Sequence, residues 1–361
     1  MFNMPKFHEP DFSIEKFKDA PNCSLVEAPL DGVAPKGFHA NSIYPEYFKV
    51  DGNWYLAEDS RMDAVPVWDG KKIQVIEPRN LKKGDKVVVG RKEDCEEGIF
   101  VHSNPWGEEK KEENTFAFRT GRTRETSFTK DYRELIDLLK YEKEHNGYVV
   151  WVLGPACSFD CEARRIMSEL IEKGYCQVLL AGNALATHDL EGAYLGTALG
   201  CDIETQEVKF MGHYNHLDLL NTVRGYGSIP KFIEEEHIDN GILYSCVKNN
   251  IPFVLNSSPR DDGPLPEVIA NSYEGQNVIR SHVRRATTVI GMATMLHSIA
   301  TGNMTPTYRV LEDGSVRPVY FYMVDSAEFV ANKLADRGSL SAKGIVTNVQ
   351  DFMKNLERGL L

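Results

Sequence analysis

Side chains able to bind and protonate a small molecule occur in short stretches that directly follow apolar runs. The run at 251–255 is followed by NSSPRDDGP at 256–264, which holds an arginine beside two adjacent carboxylates, Arg260, Asp261 and Asp262. An arginine can bind a carboxylate, an aspartate can bind an ammonium group, and a histidine or aspartate can move protons. These residue types therefore fit an amino acid as the ligand.

Further candidates stand at 212–216 (GHYNH), at 295–298 (MLHS), at Asp325 and at 336–339 (DRGS). Structural alternatives stay open for several of them. Asp261 and Asp262 could cap a turn before the following proline, and His297 could be a core histidine with satisfied hydrogen bonds. His213 and His216 have no nearby carboxylates and are not expected to be metal ligands.

Seven cysteines, an odd number, are scattered through the chain and indicate free thiols in a reducing compartment. Cys157 and Cys161 are the only close pair, and their spacing could place them on one helix face. Because no second Cys or His pair stands nearby, we expect small packing residues and no metal site.

The stretch 149–189 predicts the elements that position these side chains. An apolar run at 148–153 ends at Gly154, Pro155 and Ala156, a helical segment follows to residue 173, and a second apolar run at 176–181 ends at Gly182 and Asn183. This pattern is typical of a βαβ unit, and ligands of parallel sheets bind outside the carboxyl ends of the strands.

Tight turns alone would also explain the two glycines. The polar cluster Asn183, Thr187, His188 and Asp189 favours a ligand instead, and the first expectation is a nucleotide or dinucleotide. The dinucleotide fingerprint G-x-G-x-x-G is absent from the sequence.

The chain divides into three predicted parts. Residues 1–35 show little hydrophobic periodicity and predict an N-terminal arm. Packing on a partner subunit is one role open to this arm. Residues 36–128 predict a β-rich domain, because Asp51-Gly52 and Asp69-Gly70 each separate alternating apolar strands, a strong hairpin signal. Residues 129–361 open with a helix at about 131–145 and then alternate strands with helices, which predicts an α/β fold with a doubly wound parallel sheet.

The charged stretch from Trp106 to Lys130 has two interpretations. It is a solvated linker, or Arg119, Arg122 and Arg124 form an anion-binding loop over the site.

Composition limits the class of partner. The chain has 361 residues, 42% hydrophobic and 26% charged, with a formal net charge of −12. This charge argues against a broad basic face for nucleic acid or anionic membrane. No apolar run approaches the roughly 20 residues needed to span a bilayer, and the N-terminus lacks a signal-peptide core. We expect a cytoplasmic protein whose partners are small molecules or copies of itself, most simply a homo-oligomer.

Six longer motifs carry a family resemblance from about residue 35 to the end: WYLAEDSRMDAV, LKKGDKVVVG, GYCQVLLAGNALATHDLEGAYLGTALG, CVKNNIPFVLNSSPRDDGPLPEV, MATMLHSIATGN and DRGSLSAKGIVTNV. Together they resemble the NAD-dependent ornithine cyclodeaminase family of archaea and cyanobacteria, which shares the LOR/SDH conserved domain.

The resemblance implies a β domain joined to a Rossmann-like NAD domain related to deoxyhypusine synthase. It also implies a redox-neutral reaction in which NAD+ takes hydride from the α-carbon of ornithine, the δ-amine closes on the resulting imine, ammonia leaves, and the hydride returns to give proline. The role of the protein is then to align the reacting atoms and exclude water.

Site residues follow from the matching motifs. The resemblance implies that NAD is surrounded by Gly154, Pro155, Ala156, Gly182, Asn183, Ala184, Asn256, Ser257, Ser258, Asp325, Arg337 and Gly338. It implies that the reacting centre is lined by His188, Asp189, Asp261, Asp262 and His297, with no one base assigned. Expected substrate contacts are Asn41, Met62, Asp63 and Arg260.

The sequence departs from the family pattern near the expected substrate. The family loop GSIRDDGP reads SSPRDDGP here, Cys-Ser-Phe-Asp-Cys follows the first glycine turn, and Asn41-Ser42-Ile43 stands where a Thr-Thr-Asn stretch is typical. We expect the short arm to stand in place of the family's additional N-terminal domain. NAD binding is thus better supported than ornithine.

The leading hypothesis is an NAD-dependent cyclodeaminase that acts on an amino acid, ornithine first. One alternative is the same scaffold acting on a different amine or amino acid as a dehydrogenase or lyase. The other is a non-catalytic NAD-binding regulatory module.

Overall fold

The computed structural model describes residues 2–107, 123, 125–261, 263–335 and 341–361. Within these residues, antiparallel strands in the first third precede a parallel sheet flanked by helices. No helix in the described ranges is both long and apolar enough to cross a bilayer.

The N-terminal third forms two antiparallel sheets in its described part. Its elements are α1 (Glu15–Lys18), β1 (Ser24–Glu27), β2 (Glu46–Val50), β3 (Asn53–Leu56), β4 (Val65–Trp68), β5 (Ile73–Ile76), β6 (Lys86–Val89) and β7 (Ile99–Val101). The sheet orders are β1-β6-β4-β5 and β3-β2-β7. Both predicted hairpins form, β2–β3 and β4–β5. Asp51 and Gly52 have φ values of 49° and 82°, which is the left-handed geometry that selects Asp-Gly in a two-residue turn.

The predicted arm is built into its own chain. Strand β1 lies within it and pairs with β6. Phe12 stacks on Trp54 of the β-rich part, and Phe2 contacts Tyr141 and Tyr320 of the α/β part. The segment therefore packs along both parts of the same molecule, while the exact domain boundaries stay a prediction.

The described remainder contains the parallel sheet and its flanking elements: α2 (Thr129–Glu144), β8 (Val149–Leu153), α3 (Cys161–Glu172), β9 (Val178–Gly182), α4 (Asn183–Leu195), β10 (Thr197–Ala198), β11 (Cys201–Asp202), α5 (Asn215–Tyr226), α6 (Ile229–Glu235), α7 (Ile242–Lys248), β12 (Phe253–Asn256), β13 (Val268–Ile269), α8 (Ser272–Val283), β14 (Thr288–Met292), α9 (Met295–Met304), β15 (Tyr308–Val310), β16 (Val316–Pro318), β17 (Tyr320–Asp325), α10 (Glu328–Ala335), β18 (Ala342–Val346) and α11 (Val349–Leu360).

The predicted doubly wound sheet is confirmed. The order is β13-β12-β9-β8-β14-β17-β18, and every pairing is parallel. Chain order runs outward in both directions from β8 and β14, so these two strands form the topological switch point. Alternate residues of β8 enter different core clusters: Trp151 belongs to one, and Val150 and Val152 to the other. Helices thus cover both faces, which explains the continuous apolar runs.

One stretch that was predicted to form a single strand forms two strands in the structure. The run VRPVYFYMVD splits at Val319, because β16 pairs with β15 in a small hairpin while β17 enters the parallel sheet. The expected Asp325 end is correct, since β17 ends there.

A buried ion pair joins the β-rich part to the α/β part. Arg280 Nε lies 3.0 Å from Glu77 Oε1, with both side chains at most 4% exposed. Arg280 Nη1 also donates to the Met304 carbonyl at 2.6 Å, and Arg61 Nη1 donates to Glu77 Oε1 at 3.2 Å. Burial lowers the pKa of Arg280 to about 10, although the Glu77 carboxylate opposes this, so the guanidinium stays charged at neutral pH.

Candidate active site

A cleft of about 690 Å³ opens at the carboxyl ends of β8, β9 and β12. Its volume lies in the range of cofactor and ligand pockets. The lining residues are Leu153, Gly154, Pro155, Gly182, Asn183, Ala184, Leu185, Thr187, His188, His216, Leu217, Leu220, Asn256, Ser258, Pro259, Arg260, Asp261, Thr294, Leu296 and His297. The structure thus brings together most of the residues that the motifs indicated.

Close backbone approach explains the two glycines at the strand ends. A Cβ on Gly154 would lie 1.9 Å from the Ala293 carbonyl oxygen, so the loops after β8 and β14 touch at the switch point. A Cβ on Gly182 would lie 2.7 Å from His297 Cε1. Any larger residue at either position would displace the walls of the cleft.

Two helices point their N-termini at the cleft. Helix α4 begins after Gly182 and α9 after Thr294, and neither cap residue supplies a side-chain hydrogen bond to its helix. Unpaired N–H groups and the positive end of the helix dipole favour an anionic group such as a phosphate. Asn183 is used structurally, because its Oδ1 accepts from the Leu265 N–H at 3.0 Å.

Three residues of the cleft wall each have a buried polar atom with no hydrogen-bond partner among the described residues. They are Asn256 Oδ1, Thr187 Oγ1 and His216 Nδ1. Leaving such atoms unpaired costs roughly 1–3 kcal/mol each. Asn256 Oδ1 lies against Gly275 of α8, outside the cleft lining. Thr187 Oγ1 and His216 Nδ1 are therefore the two atoms whose hydrogen bonds a polar ligand in the cleft would complete.

His188 is held by a buried carboxylate. Its Nδ1 lies 2.8 Å from Glu191 Oε2, and the other Glu191 oxygen accepts from Thr197 Oγ1 at 2.7 Å. Burial raises the pKa of the Glu191 carboxyl, but the hydrogen bonds from His188 and Thr197 outweigh burial and leave that pKa below its usual value. An ionised carboxylate only accepts, so Nδ1 carries the hydrogen and Nε2 is the basic nitrogen of the neutral ring.

Glu191 was not among the predicted site residues. Its spacing of three residues from His188 on one helix was the available signal, because such residues lie on the same face.

His297 has a different environment. Burial lowers its pKa, and the nearby Asp261 carboxylate opposes this only in part, so the ring is neutral at neutral pH. Its Nδ1 lies 3.4 Å from Thr294 Oγ1. Asp261 accepts from the Ser258 N–H at 2.7 Å and also lines the cleft. Asp261 therefore caps a turn and also lines the cleft, so both interpretations of this residue apply.

Asp189 lies outside the cleft lining, which corrects its expected place at the reacting centre. It is fully buried, pairs with Arg164 Nε at 2.7 Å, and accepts from the N–H groups of Ile242 and Leu243 at 2.9 and 2.8 Å. The carboxylate thus anchors the N-terminus of α7.

Several other predicted residues also lie away from this cleft. Asn41 is buried in the β-rich part, where its Nδ2 donates to Glu46 Oε2 at 2.9 Å. Asp63 is exposed, and Met62 lies beside it at partial burial. Ser257 donates to the Ala270 carbonyl at 3.0 Å.

Of the remaining expected contacts, some lie outside the cleft lining and others lie outside the described residues. Ala156 packs against the larger core cluster, and Asp325 accepts from the Ala327 N–H at 2.8 Å at the end of β17. Asp262, Arg337 and Gly338 lie outside the described residues, as do Arg119, Arg122 and Arg124 of the charged stretch.

Other parts of the described structure offer less for chemistry. A larger groove of about 1240 Å³ borders the N-terminal segment, but its Arg317 pairs with Glu142 and its Lys72 with Glu58. None of its described lining residues leaves a buried polar atom unpaired. In the described ranges, no three His, Cys, Asp or Glu side chains group to hold a metal ion.

Comparison with known proteins gives consistent matches. The family model described as arginine dihydrolase ArgZ-like, C-terminal, Rossmann fold matches residues 133–356. The ornithine cyclodeaminase of Methanopyrus kandleri is 38% identical over 93% of this chain and 78% of its own length. The bifunctional arginine dihydrolase/ornithine cyclodeaminase AgrE of Nostoc is 34% identical over 95% of this chain and 47% of its own length.

Solved structures agree with these matches. A conserved LOR/SDH protein from Methanococcus maripaludis S2 superposes with a TM-score of 0.85 at 34% identity, covering 94% of this chain and 100% of that chain. The ternary complex of AgrE with ornithine and NAD+ superposes with a TM-score of 0.59 at 32% identity, covering 95% of this chain and 46% of that chain.

Proposed function

The chain belongs to the family that joins ornithine cyclodeaminases and ArgZ-like C-terminal Rossmann domains, and on that premise we propose that it is an NAD-dependent cyclodeaminase. Its substrate is an amino acid, with L-ornithine first, and its products are L-proline and ammonia. The observation that carries the proposal is the cleft in which His188, tied to Glu191, meets unpaired polar atoms at the switch point of the sheet.

The cleft fits a dinucleotide. The open N-termini of α4 and α9 suit phosphate oxygens, and Gly154 lets the loops after β8 and β14 meet at the floor of the site. Thr187 Oγ1 and His216 Nδ1 suit hydroxyl and amide groups. Bound NAD+ supplies a hydride acceptor for the α-carbon of the amino acid and a hydride donor later in the same cycle.

The residues of the chain bind the amino acid and move its protons. Arg260 and Asp261 stand on one loop of the cleft and suit the carboxylate and ammonium groups of the substrate. His188 Nε2 accepts a proton from the substrate amine, and Glu191 stabilises the imidazolium that forms. The buried side chains of Leu185 and Leu220 form an apolar wall beside these groups.

The net reaction breaks one carbon–nitrogen bond and forms another. The substrate loses ammonia, its δ-amine takes the vacated position, and no net oxidation occurs. This balance separates the proposal from a dehydrogenase, which would accumulate reduced cofactor.

The test is incubation of the purified protein and NAD+ with a panel of diamino acids, with ammonia, proline and NADH absorbance followed together. We expect ammonia and proline from ornithine in equal amounts without lasting NADH. Accumulating NADH would contradict the redox-neutral cycle. Turnover of another diamino acid but not ornithine would contradict the substrate, and binding of NAD+ without turnover of any would contradict catalysis.

A second test is the His188→Gln variant, which replaces the proposed proton-transfer residue. It keeps a polar side chain but removes the basic nitrogen, so we expect retained NAD+ binding and loss of roughly 10²- to 10⁴-fold in kcat.

A further inference from the structure

A second histidine, His216, lies beside His188 in the cleft. The centroids of the two rings are 6.3 Å apart, and the ring planes are inclined by 51°. This distance is too long for a direct hydrogen bond between ring nitrogens, but one small polar group can bridge them. Both side chains line the cleft, His188 from α4 and His216 from α5. The GHYNH stretch at 212–216, a candidate from its sequence, therefore reaches the site through its last residue.

The carboxylate of Glu191 connects the two helices that carry these histidines. Its Oε2 lies 2.8 Å from His188 Nδ1, and its Oε1 accepts from Thr197 Oγ1 at 2.7 Å. Thr197 Oγ1 in turn accepts from Asn215 Nδ2 at 2.8 Å, at the start of α5. Because Asn215 directly precedes His216, the carboxylate that orients His188 also fixes the helix end that carries His216.

The ring of His216 has a nitrogen that is available to a ligand. Its Nδ1 is buried in the cleft wall and has no hydrogen-bond partner among the described residues. A buried polar atom is unfavourable in this state unless a ligand completes its hydrogen bond. An imidazole nitrogen can donate a hydrogen bond, accept one, or exchange a proton with the group that it contacts.

The proposed reaction requires one proton to move between two nitrogens of the substrate. When ornithine becomes proline and ammonia, the δ-nitrogen that closes the ring loses one hydrogen, and the α-nitrogen that leaves gains one. The δ-nitrogen donates the electron pair of the new carbon–nitrogen bond, and the α-nitrogen takes away the pair of the old one. The hydride that leaves the α-carbon returns to it, so one proton completes the balance.

We propose that His188 and His216 are an acid–base pair that moves this proton, an inference that rests on the proposed function. His188 takes the proton from the δ-nitrogen as the ring closes, and His216 gives one to the α-nitrogen as ammonia leaves. Both nitrogens are then bonded to the same carbon, so rings from two helices reach them without either ring turning over. The pair is restored when the proton passes from His188 to His216 through one bridging group. His216 Nδ1 is thereby assigned to the leaving nitrogen, and Thr187 Oγ1 remains for the cofactor.

The test compares His216→Asn with the wild type in a single turnover of ornithine with NAD+. Asparagine keeps a hydrogen-bonding group near the position of Nδ1 but cannot transfer a proton at neutral pH. We expect the rate of NADH appearance, and the Kd for NAD+ measured by calorimetry, to stay within a few-fold of wild type, because both precede the exchange of carbon–nitrogen bonds. Proline and ammonia should form roughly 10²- to 10⁴-fold more slowly, so NADH persists in the variant and is transient in the wild type.

His213→Asn is the matched control, because it changes an exposed histidine of the same stretch and should leave both phases unchanged. Unchanged proline formation in His216→Asn would overturn the inference. Equal slowing of NADH appearance and proline formation would also overturn it, as would weaker NAD+ binding with normal turnover, since His216 would then act before the bond exchange or only hold the cofactor. If His216→Asn does not fold, His216→Gln decides by the same comparison.

Failure of this inference is distinct from failure of the proposed function. A wild-type protein that converts ornithine while His216→Asn does so equally fast overturns the acid–base pair alone. A wild-type protein that forms no ammonia or proline overturns both.

Discussion

Two histidines of the cleft, His188 and His297, differ in their hydrogen-bond partners. His188 has a buried carboxylate partner, whereas His297 is half-buried with a lowered pKa and a long contact to Thr294. Environments that differ in this way separate the roles of like groups in one site. We propose proton transfer for His188 and hydrogen bonding as a neutral ring for His297.

Glu191 is predicted to orient the His188 ring through its hydrogen bond to Nδ1. Glu191→Gln keeps the size of the side chain but removes the charge that fixes the His188 tautomer and stabilises its protonated form. We expect kcat to fall about 10- to 100-fold, which is part of the usual contribution of acid–base catalysis. Because Glu191 does not line the cleft, KM should change little.

Glu27→Gln, an exposed change on β1, serves as the control and should leave both constants unchanged. A rise in KM with constant kcat would show that Glu191 supports binding and does not orient the base.

The second residue-scale prediction concerns pH. Asp261 raises the pKa of His297 while burial lowers it, so Asp261→Asn removes the raising contribution and the pKa of His297 should fall further. The ring then stays neutral to a lower pH. An NMR titration of the His297 ring in both proteins measures this, and Ser257→Ala on the same loop is the control. A higher pKa in Asp261→Asn would disprove the electrostatic contact.

At the scale of elements, α4 serves two sites. Consecutive helical residues point about 100° apart, so His188 faces the cleft while Asp189 faces Arg164 and α7. The helix thereby fixes His188, the proposed proton-transfer residue, relative to a neighbouring helix.

Asp189→Asn tests this division. Removing one charge of a buried pair leaves Arg164 uncompensated, and the expected loss in the free energy of unfolding is about 3–5 kcal/mol. Turnover per folded molecule should remain within a few-fold of wild type. Urea denaturation and assays below the transition measure the two effects, and Asp239→Asn, exposed on the adjacent loop, should cost less than about 0.5 kcal/mol. A stable but inactive Asp189→Asn would restore the residue to the reacting centre.

Local signals explain why some elements could be predicted. Asp-Gly pairs fixed both hairpins, and runs of apolar residues bounded by glycine located β8 and β9, because turn geometry and burial act over a few residues. The place of Asp189 could not be predicted from its neighbour, since adjacent positions on a helix face different directions. The split at Val319 was hidden because no glycine or turn dipeptide separates β16 from β17.

At the scale of the whole molecule, the class of the main sheet could be predicted from the sequence. The contact between the β-rich part and the α/β part could not. Alternating strands and helices imply a parallel sheet with its ligand at the switch point, and the cleft lies there. The expected contacts Asn41, Met62 and Asp63 depend on how the β-rich part packs. That packing involves residues far apart in the chain, such as Arg79 and Asn277, which are 198 positions apart and lie 2.9 Å from each other. Sequence periodicity contains no information on such distant pairs.

The buried contact between Arg280 and Glu77 also restricts how the β-rich part and the α/β part can move relative to each other. A hinge opening between the two parts would carry both charges out of each other's reach, at a cost of several kcal/mol unless water entered to solvate them. The molecule is therefore stiff along that line. The cleft lies at the strand ends of the α/β part. We therefore expect access to it, and turnover of the proposed substrate, to depend on movements of the short loops there.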